Sequence, residues 1–277
     1  MNAPRNTSEL NIASIQMVST PSLHENLETA ARLIKAATDC GVQIAVLPEY
    51  FCLMGLKDTD KVNIREAAGS GPIQERLAAI AQENNIYLVA GTIPLEAKES
   101  NKVLNTSLVF DPLGMQVARY DKIHLFGFQT PTERYEESET ISAGSQPGQF
   151  VIQLNEVEWR FGLSICYDLR FPELYRALGQ VDCHIIPAAF THTTGKDHWE
   201  ILLRARAIEN QCYVLASAQG GLHLNQRRTW GESMLVDPWG EILSNLPEGE
   251  GFIQGTLSKD KLKEVRSKLP ALKHRKL

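Results

Sequence analysis

Residues 161–190 read FGLSICYDLRFPELYRALGQVDCHIIPAAF, and this stretch decides the fold class. FGLSIC (161–166) is a short apolar run with no helical period, the mark of a buried strand. Pro172 then stands where proline favours the first turn of a helix, and PELYRALGQ carries that helix. HIIPAAF (184–190) is a second buried strand. Strand, helix and strand in succession make the unit from which α/β folds are built.

The same alternation extends in both directions. Upstream, residues 11–18 read as a strand. Leu27, Ala31, Ile34 and Thr38 keep helical spacing over 24–38, with Gly41 at the C-terminal cap. IAVLPEY (44–50) is a strand, 73–84 a helix and YLVAGTI (87–93) a strand. Residues 107–124 read as two strands joined by a turn at Asp111-Pro112-Leu113-Gly114. Downstream, 197–209 is a helix with Trp199, Leu202, Leu203 and Ala207 on one side. Residues 212–219, 232–238, 241–246 and 251–257 are strands, and SKDKLKEVRSKL closes with a helix. Helices dominate the connections early and antiparallel hairpins appear later, which argues a mixed sheet or sheets. Residues 127–150 have few apolar positions and no period, and read as a long loop of the kind that often carries function. No linker, repeat or low-complexity tract divides the chain, so 1–277 reads as one domain.

Composition narrows the function. With Lys+Arg 28 against Asp+Glu 33, the net charge is −5, which disfavours a nucleic-acid partner. No apolar run approaches the roughly 18 residues of a membrane helix, and MNAPRNTSEL has no apolar core to serve as an export signal. Cys40, Cys52, Cys166, Cys183 and Cys212 are too few for a disulfide framework, so free thiols and a cytoplasmic location are expected. No phosphate-binding loop, G-x-G-x-x-G or serine elbow is present, and His192 and His198 match no metal spacing. No cofactor and no metal are therefore expected.

Three places carry chemistry. Glu49 ends the buried run LPEYF, where low polarity disfavours its charge; an edge-exposed strand-end carboxylate is the ordinary alternative. Lys122 lies within the apolar alternation of YDKIHLF; lysine is seldom buried unpaired, and an outward strand position is the alternative. Cys166 leaves a strand just before a helix, where backbone N–H groups can hold an anion; a small buried hydrophobe is the alternative. Together they are a base, a cation and a nucleophile, a set sufficient for acyl transfer if the fold assembles them.

LPEYF, DKIHLF and GLSICYDLRFPELYR resemble the three signature segments of the nitrilase superfamily of carbon–nitrogen hydrolases. HWEILLRARAIENQCYV (198–214) and GESMLVDPWGEIL (231–243) extend the resemblance over about residues 11–270. It implies an αββα four-layer sandwich and a homodimer or higher homo-oligomer; the helix after Cys166 and the 197–209 helix, which both offer apolar faces, are the expected interface elements. It maps the family's catalytic residues onto Glu49, Lys122 and Cys166, and a second glutamate onto Glu137, with Glu136 and Glu139 as neighbours. The Cys-Tyr-Asp-Leu-Arg sequence at 166–170 is similar to the amidase branch that includes omega-amidase and deaminated glutathione amidase. Gly127 and Glu232 depart from that branch, where an acid and a histidine are usual.

The resemblance implies an amidase that attacks a small linear amide through a Cys166 thioester and releases ammonia, with deaminated glutathione or a related ω-amide of a 2-oxo acid as substrate. Lys122 would favour the thiolate, and Lys122 with the Tyr167 backbone N–H would hold the oxyanion. Arg170 is a candidate for a substrate carboxylate, against a salt bridge to Glu173 or Asp168. Arg204, Arg206, Arg227 and Arg228 are further cations for that purpose, although Arg227 and Arg228 also read as a solvated loop pair. Phe190 and Thr191 are candidates for the pocket wall. The competing readings are N-carbamoyl or nitrile hydrolysis on the same scaffold, and a catalytically silent interaction protein.

Overall fold

The computed structural model describes residues 8–131, 134–154 and 156–276. In chain order the elements are β1 (Glu9–Gln16), α1 (Leu23–Asp39), β2 (Ile44–Val46), α2 (Asp60–Asn63), α3 (Pro72–Asn84), β3 (Tyr87–Val89), β4 (Ile93–Glu96), β5 (Val103–Phe110), β6 (Gln116–Asp121), β7 (Gly127–Gln129) and β8 (Arg134–Glu136). They continue with β9 (Gly148–Leu154), β10 (Val157–Leu163), α4 (Pro172–Ala177), β11 (Cys183–Ala188), α5 (His192–Asn210), β12 (Tyr213–Ala218), β13 (Ser233–Val236), β14 (Ile242–Leu246), β15 (Gly251–Ser258) and α6 (Lys259–Lys268).

Two mixed sheets form the centre. The first runs β15-β1-β2-β3-β5-β4, with β6 on β5, and the second runs β14-β13-β12-β11-β10-β9. Each has three parallel strands at its heart, β1, β2 and β3 in one and β10, β11 and β12 in the other. Parallel strands are buried on both faces, and β1 shows how the sequence meets that demand. Leu10 and Ile12 pack toward the second sheet, while Ala13, Ile15 and Met17 pack among residues of α1 and α3. On the far side, Leu203 and Ala207 of α5 and Leu174 and Tyr175 of α4 cover the second sheet. The layers are helix, sheet, sheet and helix, the αββα sandwich that the resemblance implied.

The seam between the sheets is partly polar. Ser14 Oγ donates to Ala216 O at 2.8 Å, Ser217 Oγ lies 2.6 Å from Ile15 O, and Gln16 Oε1 accepts from Ser233 N at 2.9 Å. Directional bonds of this kind fix the register of one sheet on the other, which apolar contact alone leaves loose.

Three sequence expectations need correction. The strand at 44–50 stops at Val46, and Tyr50 turns into the left-handed region with φ 55°. The strand at 87–93 breaks into β3 and β4 at Gly91, whose φ is 50°; a Cβ there would stand 2.1 Å from Pro48 O, so the break lets this segment pass close under the Glu49 loop. Residues 127–150 are not a plain loop, because β7 and β8 pair as a hairpin and β9 begins at Gly148. The remaining strands and helices fall where expected, and Gly41 caps α1 with φ 85°. No helix among the described residues is long and apolar enough to cross a membrane.

Candidate active site

Parallel sheets expose the carboxyl ends of their strands as natural ligand sites, and here two such ends face each other. Glu49 follows β2 of the first sheet, and Cys166 follows β10 of the second. Both side chains are buried. Glu49 Oε1 accepts from Lys122 Nζ at 2.9 Å and from Asn105 Nδ2 at 2.9 Å, and its Oε2 accepts from the backbone N–H of Ala189, just past β11, at 2.9 Å. Asn105 of β5 holds both partners, since its own carbonyl accepts from Lys122 N at 3.0 Å.

Lys122 Nζ also donates to Glu137 Oε1 at 2.9 Å and Oε2 at 2.7 Å. Glu137 further accepts from Tyr50 Oη at 2.9 Å and from Phe126 N at 2.8 Å. The neighbouring acids are used elsewhere: Glu136 accepts from Ser138 Oγ and Glu139 pairs with Arg134. Of the three candidates at 136–139, only Glu137 meets Lys122.

Cys166 opens a 3₁₀ turn (Cys166–Arg170) with φ 48°. A non-glycine residue there costs about 1–3 kcal/mol and persists only where its surroundings enforce it. Asp168, two residues on, supplies the enforcement. Its carboxylate accepts from Ile165 N at 2.8 Å, Tyr120 Oη at 2.7 Å, and the backbone and ring Nδ1 of His124 at 3.0 and 2.7 Å. Asp168 thereby ties the residue before Cys166 to residues on either side of Lys122.

Above this cluster a cavity of about 530 Å³ is walled by Tyr50, Lys61, Tyr135, Glu137 and Arg227. A narrower cleft beside it reaches Cys166 and Tyr167 and is walled by Phe190, Thr191 and Thr194, again with Arg227 at its edge. Phe190 packs on Trp199 with ring centres 5.0 Å apart.

The carbon–nitrogen hydrolase sequence pattern matches residues 11–267. The chain belongs to the carbon–nitrogen hydrolase family. It is 42% identical over 267 residues to the deaminated glutathione amidase of Synechocystis, covering 95% of this chain and 97% of that protein. It is 39% identical over 269 residues to the same-named enzyme of Yersinia enterocolitica, covering 95% and 92%. Its structure matches Saccharomyces cerevisiae Nit3, a member of branch 10 of the nitrilase superfamily, with a TM-score of 0.85 and 30% identity over 98% of this chain and 97% of that one. The protein is thus a hydrolase of carbon–nitrogen bonds, an amidase of the nitrilase superfamily.

In the electrostatics of this hydrolase site Lys122 acts in the expected sense, favouring the Cys166 thiolate, but against larger opposing causes. Burial, followed by the charge of Glu49, pushes the Cys166 thiol well above its usual range, and Lys122 only partly offsets them. Beyond burial, the charge count matters: Glu49 and Glu137 both act on the thiol against the one Lys122 ammonium. Lys122 pairs with both carboxylates, at 2.9 Å to Glu49 and 2.7 Å to Glu137. Burial alone would lower the Lys122 pKa, but Glu137 and then Glu49 outweigh it and hold the ammonium charged. Glu137 is the converse: burial opposes its charge, yet Lys122 and the Phe126 and Tyr50 donors bring it below the usual carboxylate range.

The outer cations are sorted by the structure. Arg204 donates to Glu200 and Gly240 O, and Arg206 to Leu169 O and Glu209, so both serve α5 and not a pocket. Arg228 pairs with Glu248 at 3.5 Å. Arg170 makes neither expected salt bridge; its guanidinium lies 5.2 Å over Phe190 and 3.2 Å from His198 Nδ1. Arg227 is half-buried and is not the solvated loop residue its sequence suggested. Glu232, the departure from the branch pattern, has φ 59° and joins two tryptophans, accepting from Trp199 Nε1 on its carbonyl and from Trp230 Nε1 on its carboxylate, both at 2.8 Å. Gly127 lies on the edge hairpin, where a Cβ would make only ordinary contact with Glu136 at 3.5 Å. Sequence reasoning missed Tyr50, Lys61 and Asn105 altogether, and saw Asp168 only as a partner for Arg170. Among the described residues no cluster of side chains suits a metal ion.

Proposed function

We propose that this hydrolase cleaves a small linear amide through a Cys166 thioester, and that its substrate is deaminated glutathione or a closely related ω-amide of a 2-oxo acid. The observation that carries the reading is the continuous chain Glu49–Lys122–Glu137, set at the strand ends beside Cys166. The relatives named deaminated glutathione amidase supply the substrate class.

Because the resting thiol is neutral, Glu49 acts as general base as Cys166 attacks the amide carbon. The S–C bond forms, the carbonyl oxygen becomes an oxyanion, and the thiol proton rests on Glu49. The Tyr167 backbone N–H and Lys122 receive the oxyanion. Lys122 can do so by giving up one of its two contacts with Glu137 while keeping the other. One such donor is worth about 3–4 kcal/mol of barrier. Glu49 then passes its proton to the departing nitrogen as the C–N bond breaks. In deaminated glutathione that nitrogen carries Cys-Gly, so the dipeptide leaves; in a simple ω-amide ammonia leaves. Water enters, Glu49 deprotonates it, and hydrolysis of the thioester returns the thiol and releases the acid. Glu137 and Tyr50 keep Lys122 aimed between the two carboxylates. Thr191 and Phe190 wall the acyl cleft, and Arg170 stacks over Phe190.

Both sheets contribute to the cluster, so residues 1–277 act as one catalytic domain. The exposed Ile201 and Ile208 of α5 and Trp239 support a homodimer through that face. Light scattering at micromolar protein tests it, and a monomer contradicts it. The deciding experiment for the function is kcat/KM for deaminated glutathione, 2-oxoglutaramate, an N-carbamoyl amino acid and an aliphatic nitrile. Preference for either of the last two defeats the substrate assignment.

A further inference from the structure

Two cations face the large cavity without a protein anion. Arg227 Nη2 donates to Ala189 O at 2.8 Å, and the guanidinium lies 5.4 Å from the Tyr135 ring centre and 5.9 Å from that of Tyr50. Its Nε is buried and has no hydrogen-bond partner among the described residues. Lys61 of α2 donates to Thr140 Oγ1 at 3.0 Å and lies 5.6 Å from the Tyr50 ring centre. Neither forms an ion pair among the described residues, although seventeen such pairs occur elsewhere. The acids on the same wall are not available: Glu137 is held by Lys122, Glu136 by Ser138, and Asp58 is exposed at the rim.

Two partly desolvated cations beside one cavity repel each other, and an unpartnered buried donor costs free energy that a ligand acceptor recovers. An anion placed between them would remove both costs. The tyrosine rings already hold the cations in position, so little ordering is needed on binding. We propose that Arg227 and Lys61 form a carboxylate-binding subsite, and that this subsite makes the enzyme select amides bearing a carboxylate beyond the reacting carbonyl. Arginine meets a carboxylate through paired donors in one plane, and the one recorded bond, from Nη2 to Ala189 O, leaves most of the Arg227 fork for a ligand. Arg227 borders both the outer cavity and the cleft at Cys166, so one residue reports the charge of the substrate to the place where its amide must lie. The proposal rests on the amidase reading and names what it recognises.

In deaminated glutathione the carboxylate comes either from the 2-oxo acid or from the glycine end, and binding distinguishes them. In the Cys166→Ala protein, which performs no turnover, calorimetric titration with 2-oxoglutarate and separately with Cys-Gly reads each source. Whichever binds should lose about 10–100-fold in affinity when Arg227→Met or Lys61→Met is added. If neither ligand binds, or if both substitutions leave affinity within twofold, the subsite is overturned. In the active enzyme, the ratio of kcat/KM for 2-oxoglutaramate to that for butyramide should collapse by a similar factor in Arg227→Met and be partly restored in Arg227→Lys. Equal losses on both amides would show a structural role and also overturn it. Wild-type protein that hydrolyses neither deaminated glutathione nor 2-oxoglutaramate yet binds one of the acids would refute the proposed substrate and leave the carboxylate subsite standing.

Discussion

Asp168 grips His124 twice, through the backbone N–H at 3.0 Å and through ring Nδ1 at 2.7 Å. The ring is further pinned by Phe171, which stacks on it at 3.8 Å and 6°. With Tyr120 and Ile165 on the same carboxylate, the ammonium and the thiol are positioned by one fully buried side chain that touches neither. Asp168→Asn replaces acceptor capacity with an amide that faces donors. It should cost about 3–5 kcal/mol in denaturant unfolding, and kcat should fall more than KM rises. A variant with wild-type stability and kcat would remove Asp168 as a positioning residue.

Cys166→Ala should abolish turnover and keep the fold, because it removes the attacking atom and little volume. Cys40, Cys52, Cys183 and Cys212 should be replaceable by serine or alanine one at a time without loss of chemistry, although the three buried ones will lower stability. Residual wild-type activity in Cys166→Ala would end the thioester mechanism.

The raised thiol pKa makes a prediction of opposite sense to the usual one for a catalytic cysteine. Without substrate, alkylation of Cys166 by iodoacetamide should be slow at pH 7 and accelerate as pH rises, since the free thiol is held neutral by burial and Glu49. Glu49→Gln removes the nearby negative charge and should quicken alkylation at fixed pH while eliminating turnover. Mass spectrometry of the labelled peptide reads both. Fast alkylation at pH 7, slowed by Glu49→Gln, contradicts the electrostatic account.

Lys122→Met leaves Glu49 and Glu137 buried with no cation between them. Breaking such a pair from one side costs about 3–5 kcal/mol, so this variant should melt well below wild type and be inactive. Lys122→Met combined with Glu137→Gln should recover much of the stability and none of the activity. Equal melting temperatures for the single and double variants would show that the two charges are not coupled.

His184 should contribute to the loss of stability in acid. It lies fully buried on β11 of the second sheet, neither ring nitrogen has a hydrogen-bond partner among the described residues, and burial, with help from Arg206 and Arg176, drives its pKa down to about 3. His223 is pushed by burial to about 4. Both are neutral in the fold, whereas the unfolded chain takes up their protons near pH 6.5. Their contribution to stability is therefore complete above pH 6.5 and is lost as pH falls toward those folded values, by at most about 1.4 kcal/mol per pH unit for each group. His184→Leu should flatten the fall between pH 6.5 and 4 in thermal melts. An unchanged slope would locate the acid sensitivity elsewhere.

Much of this architecture is legible in local pattern. Apolar runs within 44–50, 161–166 and 184–190 announce strands buried on both faces, and Gly41 ends α1 as a cap residue does. What pattern could not reveal depends on contacts distant in the chain. The split of 87–93 is dictated by the Pro48 carbonyl against Gly91, which no window around Gly91 contains. Tyr50 looks like one more apolar residue of LPEYF until its hydroxyl is seen on Glu137. Asp168 reads as a partner for Arg170 because that residue is near in sequence, whereas its real partners lie on β6 and just beyond it. Arg227 carries a loop signature, and only the packing of two tyrosines around it makes it a pocket wall. The hairpin at 127–136 escaped because its strands are short and only half-covered.

The bond from Ala189 N to Glu49 Oε2, together with Ser217 beneath it, crosses from one sheet to the other. Residues 1–140 hold Glu49, Lys122 and Glu137; residues 148–277 hold Cys166, Tyr167 and Arg227. Neither half owns a complete set of reacting groups, and the partly polar seam that aligns them carries hydrogen bonds with a defined direction. A chain severed between Thr140 and Gly148 would be silent as two pieces and would regain chemistry only on correct reassociation. The fold is in this sense a complementation reporter, with amide hydrolysis as its readout of sheet-on-sheet registration.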